Sequence, residues 1–292
     1  MDVEELPLRD GSVPISDGVD LNVRRWVGPG VVPGRPAFLL VHGLSSNARL
    51  WDEVVAALAE AGHPAYAVDL RCHGGSSCPA DGHDTGTAAA DLAAVTTALG
   101  LERVVVAGQS WGGNVAVRFA AEHPGMVAAL ALLDGGWIDL PAAFGSWEAC
   151  AAALRPPDLD NLHVSALRHG ITRGHPDWSP TAVEATVANL RVGPDGLVSR
   201  RLPIDRHMAI VRSMWDDPPR RFYPALAMPT LLMPAVPTAP EAAAEVRARV
   251  AGAAAAMPRA TIREYEGADH DLHAQSPRRV AADLIALAKE AD

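Results

Sequence analysis

The sequence predicts a three-layer α/β architecture, a mostly parallel sheet between two layers of helices. Three observations lead there. Short, wholly apolar runs such as Ala37-Phe38-Leu39-Leu40-Val41 and Val104-Val105-Val106 suit strands buried on both faces. Segments with apolar residues at helical spacing lie between them. Most of the runs end in loops rich in Gly, Asp, His or Ser, and parallel sheets place their ligands at the carboxyl ends of the strands.

Each element follows in order. Residues 12–27 read as a hairpin turning at Asp17-Gly18, with Leu21 and Val23 on one side. Residues 37–41 form a strand that ends in His42-Gly43-Leu44-Ser45-Ser46-Asn47. Trp51, Val54, Val55, Leu58 and Ala59 mark a helix stopped at Gly62. Residues 65–70 are the next strand, followed by Arg71-Cys72-His73-Gly74 and then a helix over 84–99. Val104 to Ala107 leads into Gly108-Gln109-Ser110-Trp111-Gly112-Gly113 and a helix closed by Pro124-Gly125. Residues 126–133 are a buried strand ending at Asp134-Gly135-Gly136.

The alternation then breaks. Residues 137–225 hold helix fragments interrupted by Pro156-Pro157, Gly193-Pro194-Asp195-Gly196 and Pro218-Pro219. It resumes with a strand at 229–233, a helix over 240–256, a strand at 260–265 and a closing helix behind Ser276-Pro277. The expected division is a core of residues 1–136 and 226–292 with a helical cap inserted at 137–225.

Composition narrows the function. The 292 residues are 49% hydrophobic, enough for one large core plus an insertion. The net charge is −10, Lys289 is the only lysine and no basic block occurs, which argues against nucleic acid or an anionic membrane as partner. No apolar run reaches the roughly 18 residues of a membrane span. The acidic start Met1-Asp2-Val3-Glu4-Glu5 has no apolar signal region, so a soluble, cytoplasmic protein acting on a small molecule is expected. Three cysteines, Cys72, Cys78 and Cys150, without CxxC spacing are read as free thiols in preference to a Cys72–Cys78 bridge. Nothing points to a metal or organic cofactor, and the oligomeric state is open.

The chemistry centres on Gly108-Gln109-Ser110-Trp111-Gly112. A serine held between a strand and a helix on a tight turn needs small neighbours two residues before and after, so that backbone can pass backbone. The turn exposes the hydroxyl and sets the Trp111 N–H at the positive end of the helix. In this setting the chain resembles the α/β-hydrolase fold superfamily, in its capped, lipase- and esterase-like form. The resemblance rests on His42-Gly43, on Asp69-Leu70-Arg71-Cys72-His73-Gly74-Gly75-Ser76, on the serine turn, and on Gly267-Ala268-Asp269-His270. It implies an eight-stranded, mostly parallel sheet with the cap after the sixth strand. It also implies Ser110 as nucleophile, His270 as base, and the Leu44 and Trp111 amides as oxyanion donors.

The family's usual acid position is vacant, since Met233-Pro234-Ala235-Val236-Pro237-Thr238-Ala239-Pro240 carries no carboxylate before Glu241. Asp134 stands first for that role, with Glu241 or no acid as the alternatives. His273 competes with His270, and Asp269-His270-Asp271 with His273 is a weak metal-like pattern. Asp69, Arg71 and His73 are read as a structural turn or ion pair, and His63 and His83 as solvated or locally bonded. His42, Gly43 and Trp137 are expected at the substrate pocket. The other large aromatics of the insertion, Trp147, Trp178 and Trp215, are assigned to packing or to an apolar pocket wall.

The implied activity is cleavage of a small or medium apolar ester, lactone or thioester. A proline-iminopeptidase-like aminopeptidase is an alternative, with Glu148, Asp177 or Glu184 holding the substrate ammonium. A ligand-binding or biosynthetic-cyclase protein of the same fold is another.

Overall fold

The computed structural model describes residues 7–16 and 18–291. The acidic start of the chain and Asp17 of the first turn lie outside them. Strands β1 (Leu8–Ser16) and β2 (Val19–Trp26) form the expected hairpin, with Gly18 in the left-handed region at φ 72°. Then come β3 (Ala37–Val41), α1 (Asp52–Glu60), β4 (Ala65–Val68), α2 (Thr85–Ala98), β5 (Val104–Gln109), α3 (Trp111–Glu122) and β6 (Val127–Leu133). The insertion carries α4 (Leu140–Phe144), α5 (Trp147–Leu154), α6 (Val164–Gly174), α7 (Pro180–Val187), a small antiparallel pair β7 (Leu190–Val192) and β8 (Val198–Arg200), and α8 (Ile204–Asp216). The core resumes with β9 (Thr230–Met233), β10 (Ala235–Val236), α9 (Pro240–Ala255), β11 (Ala260–Ile262), β12 (Tyr265–Glu266), α10 (Leu272–Gln275) and α11 (Pro277–Ala288).

Eight strands make the main sheet in the order β1-β2-β4-β3-β5-β6-β9-β11, parallel from β4 to β11. Alternation along each strand divides the core in two. Leu39, Val41, Val104, Val106, Leu130 and Leu132 pack on the face of α2 and α3, against Leu92, Val95 and Phe119. Phe38, Leu40, Val105, Ala107, Ala131 and Leu133 pack on the opposite face, against Val54, Leu58, Leu284 and Leu287 of α1 and α11. The chain steps from β3 outward to β4, then crosses back to β5 on the other side of β3. That reversal opens a crevice above the carboxyl ends of β3 and β5.

One expected strand is divided. Residues 260–265 were expected to run continuously, but β11 pairs with β9 whereas β12 pairs with β10 in a separate two-stranded ladder. Pro234 sits between β9 and β10 and has no N–H to give to the ladder, although its carbonyl still accepts from the Tyr265 N–H at 2.9 Å. The pairing carries the stretch before His270 up beside the end of β6.

The cysteine expectation is also corrected. Cys72 and Cys78 form a disulfide, and only Cys150 is a free, buried thiol. The two lie six positions apart in sequence, and the turn over His73-Gly74 brings them together, a proximity that cysteine spacing alone did not reveal. The bridge removes the thiol argument for a reducing compartment. Among the described residues no helix is long and apolar enough to cross a membrane.

Candidate active site

Ser110 sits between β5 and α3 at φ 53° and ψ −125°, a conformation that costs a non-glycine residue about 1–3 kcal/mol and persists only where its surroundings enforce it. Those surroundings are backbone. A β-carbon on Gly112 would strike the carbonyls of Val41 and His42, and one on Gly113 would meet the backbone of Gly135 and Gly136. A β-carbon on Gly43 would lie 2.9 Å from the Ser110 Cβ, so the loop after β3 presses directly on the serine. Among the described residues, neither the Leu44 nor the Trp111 amide N–H has a hydrogen-bond acceptor.

The histidine and the acid meet. His270 Nδ1 lies 2.6 Å from Asp134 Oδ2. The other carboxylate oxygen of Asp134 accepts the Ala235 N–H at 3.2 Å, and the Asp134 N–H donates to Met233. Asp134 itself lies at φ 39°, which aspartate tolerates better than most residues. The stretch after β9 therefore supplies an amide that orients an acid carried by β6. Glu241 is exposed in the first turn of α9, and no hydrogen bond joins it to His270 among the described residues.

The Gln109 side-chain amide donates to the His270 carbonyl at 3.2 Å, tying the histidine loop to the residue before Ser110. The Ser110 hydroxyl has no hydrogen bond to the imidazole among the described residues. Such bonds are often loose without substrate and tighten when it binds. Burial pulls the His270 pKa down, but the hydrogen bond to Asp134 and the charges of Asp134 and Asp271 more than offset it, so the net displacement is upward.

His273 behaves as a core residue. It is fully buried, its ring lies 4.3 Å from that of Trp51, neither ring nitrogen is bonded, and burial pushes its pKa down to about 3. No group of three or more potential ligands able to hold a metal ion occurs among the described residues.

The pocket expectation for His42 is corrected. Its ring is fully buried and both nitrogens are engaged, Nδ1–H donating to Gly43 at 2.7 Å and Nε2 accepting from the Leu70 N–H at 3.0 Å. That pattern requires the neutral ring, in keeping with a pKa lowered chiefly by burial. Trp137 packs in the hydrophobic core at 5% exposure. Asp69 accepts from the Ala48 N–H at 2.6 Å, the Gly75 N–H at 2.9 Å and the Asn22 amide at 2.8 Å, which makes it the keystone of a turn. Arg71 forms a bidentate pair with Asp91 at 2.6 and 2.8 Å. His63 and His83 are buried and locally bonded, to the Pro36 and Pro79 carbonyls.

From the sequence alone His73 reads as part of a structural turn, and His207 and His175 have no role beyond packing or a pocket wall in the insertion. His73 Nε2 accepts the Ser45 N–H at 3.1 Å while its Nδ1–H donates to Arg71. His207, from the insertion, has Nδ1 at 3.0 Å from the Ser45 hydroxyl and Nε2 at 3.1 Å from the Leu154 carbonyl. With His42, three histidines brace the loop that carries Leu44. Burial lowers the pKa of each, which keeps these acceptors neutral. His175 stacks on Trp178 at 4.0 Å and meets Asp269 at 2.7 Å, next to His270. Trp147 and Trp215 pack against each other within the insertion. Histidines scattered over a chain give no sign of converging on one loop, whereas Gln109 at least lies inside the serine motif.

The comparisons with known proteins agree with this fold. Residues 36–162 match a family model described as alpha/beta hydrolase fold. Over 125 residues the chain is 38% identical to a non-heme chloroperoxidase of Streptomyces lividans, covering 42% of this chain and 44% of that protein. Over 119 residues it is 38% identical to epoxide hydrolase A of Mycobacterium tuberculosis, covering 40% and 37%. The match thus spans less than half the length of each relative. Among solved structures, E-2-(acetamidomethylene)succinate hydrolase matches with a TM-score of 0.77 and 20% identity, over 97% of this chain and 99% of that one. The thioesterase domain from the curacin biosynthetic pathway matches with a TM-score of 0.72 and 18% identity, over 95% and 99%. At these identities the structures speak for the fold alone. With the sheet order, the serine turn and the matched segment taken together, the chain has the α/β-hydrolase fold.

Proposed function

We propose that the chain is a serine hydrolase cleaving a small or medium, mostly apolar carboxylic ester, lactone or thioester. The observation that carries this reading is the 2.6 Å contact of His270 with Asp134, on a loop tied through Gln109 to the serine turn. Asp134 holds Nδ1 protonated, which leaves Nε2 free to take the Ser110 proton. The serine oxygen attacks the carbonyl carbon, and the resulting oxyanion is met by the Leu44 and Trp111 amides, each donor of this kind contributing about 2.7–4 kcal/mol. His270 returns the proton to the leaving alcohol or thiol as the acyl bond breaks. Water then hydrolyses the acyl-enzyme by the same steps.

In this reading residues 137–225 are a cap. Support comes from their ties to the site's rim, namely His207 to Ser45, His175 to Asp269, and the Asn47 side-chain amide to the Ala185 carbonyl at 2.7 Å. Epoxide opening is disfavoured because serine occupies the position where that chemistry uses an aspartate. The aminopeptidase reading loses one of its carboxylates, since Glu184 is paired with Arg168.

The test is stoichiometric labelling of Ser110 by a fluorophosphonate, together with turnover of p-nitrophenyl butyrate. A labelled wild type and an unlabelled, folded, inactive Ser110→Ala support the reading. Absence of labelling in a folded wild type removes it.

A further inference from the structure

The loop that braces Leu44 has a second neighbour. A cavity of about 40 Å³ lies between it and the insertion, bordered by Ser45, Ser46, His73, Asn189, Arg200 and Arg201. Two of its lining groups are buried hydrogen-bonding atoms without a partner among the described residues, the Ser46 Oγ and the Arg200 Nη2. Arg200 as a whole is half-buried, yet a buried donor atom left without an acceptor is costly, so its Nη2 and the Ser46 Oγ mark a place where a polar partner fits. No Asp or Glu lines this cavity.

The surrounding cations are equally short of counter-charges. Among the described residues Arg201 donates only to the Ala188 and Gly74 carbonyls, at 3.0 and 3.3 Å. Arg206 reaches the Cys78 carbonyl at 3.2 Å and the two disulfide sulfurs. Neither they nor Arg200 forms an ion pair among the described residues, in a chain whose net charge is −10. A local excess of positive charge has therefore been left around a polar hollow.

The hollow has a larger neighbour. A second cavity of about 270 Å³ shares Gly74 and Arg201 with it and adds Asn22, Asn47 and Arg49 to the lining, together with two carboxylates that are already engaged, Asp10 with Arg24 and Asp69 with the Ala48 and Gly75 N–H groups and the Asn22 amide. At roughly 10–15 Å³ per water centre, the inner cavity holds about three waters, or the two oxygens and carbon of a carboxylate. The outer one has room for the remainder of a small molecule.

We propose that this junction of core and insertion is a binding site for a small carboxylate. Arg200 and Ser46 donate to its oxygens, and Arg201 stands at the neck between the two cavities. The ligand would rest on Ser46 and Ser45, one and two residues beyond Leu44, on the segment that His73 and His207 hold. The site stands on its own orphaned donors and not on the hydrolase reading.

The experiment is isothermal titration of the full chain with succinate, acetate and inorganic phosphate at matched ionic strength. Wild type is expected to bind succinate saturably at one site per chain. Arg200→Met should weaken that binding at least tenfold and Ser46→Ala several-fold, while Arg191→Met, an exposed arginine on the same β7–β8 pair, leaves it unchanged. Circular dichroism checks that each variant is folded, and Ser46→Ala, which removes a single oxygen, keeps the test open if Arg200→Met does not fold. No saturable succinate binding in wild type overturns the proposal, as does equal binding in Arg200→Met and Ser46→Ala. Phosphate binding tighter than succinate overturns the carboxylate class. Competition by succinate against p-nitrophenyl butyrate would make the ligand a substrate tail, and a non-competitive pattern would make it a separate ligand.

Discussion

Replacing Asp134 with asparagine tests the acid most sharply, because the structure dictates how the new amide must sit. In the native site Oδ1 accepts the Ala235 N–H at 3.2 Å and Oδ2 faces His270 Nδ1 at 2.6 Å. Asparagine has one oxygen, and the Ala235 N–H needs an acceptor. The amide therefore turns its oxygen to Ala235 and its NH₂ to the imidazole. A donor facing Nδ1 selects the tautomer protonated on Nε2, and that nitrogen can no longer accept from Ser110. The carboxylate charge that stabilises the imidazolium is lost as well. For the comparable substitution in a serine-protease triad the loss is about 10⁴-fold in kcat, or about 5.5 kcal/mol of transition-state stabilisation. Asp134→Asn should thus keep its fold and its binding of a non-hydrolysable ester analogue while kcat for p-nitrophenyl butyrate falls by about that factor. Glu241→Gln, at an exposed position, should change kcat by less than twofold. An Asp134→Asn enzyme within tenfold of wild type would refute the reasoning.

Three further outcomes follow from the same geometry. In the proposed mechanism His270 works unprotonated, and its pKa is raised, so kcat/KM should climb with pH through a midpoint above the ordinary imidazole value of about 6.5, and Asp271→Asn should move that midpoint down in the pH–rate profile. His273, with its pKa pushed down to about 3, stays neutral when folded but takes up a proton on unfolding below pH 6.5. Stability is then fully present above that pH and lost as pH falls, by about 1.4 kcal/mol at pH 5.5 from this residue alone, with His42, His73 and His207 acting in the same direction. Urea unfolding at pH 7.5 and 5.5 measures the loss, and His273→Phe should shrink the difference between the two. Finally, Cys78→Ser opens a short disulfide loop and should lower stability by about 2 kcal/mol on chain-entropy grounds, an effect that a reducing agent should reproduce in wild type but not in the variant.

The sheet could be read in advance because its cause is local. Runs such as Ala37–Val41 are apolar on both faces, which only a strand covered by helices on both sides can use, and the glycines around Ser110 mark where backbones must touch. The serine and the closing histidine were visible for the same reason, each lying in a short motif at a strand's end. The acid was not. Whether Asp134 or Glu241 meets His270 depends on where the ends of β6 and β9 lie relative to the histidine loop, and Pro234, by dividing β9 from β10, helps to set that placement. The disulfide, the convergence of His42, His73 and His207 on one loop, and the unpartnered Arg200 likewise arise between residues far apart in the chain or across a turn whose closure spacing does not reveal. Hydrophobic periodicity records which face of an element is buried; which polar groups then meet is decided by the packing of elements against one another.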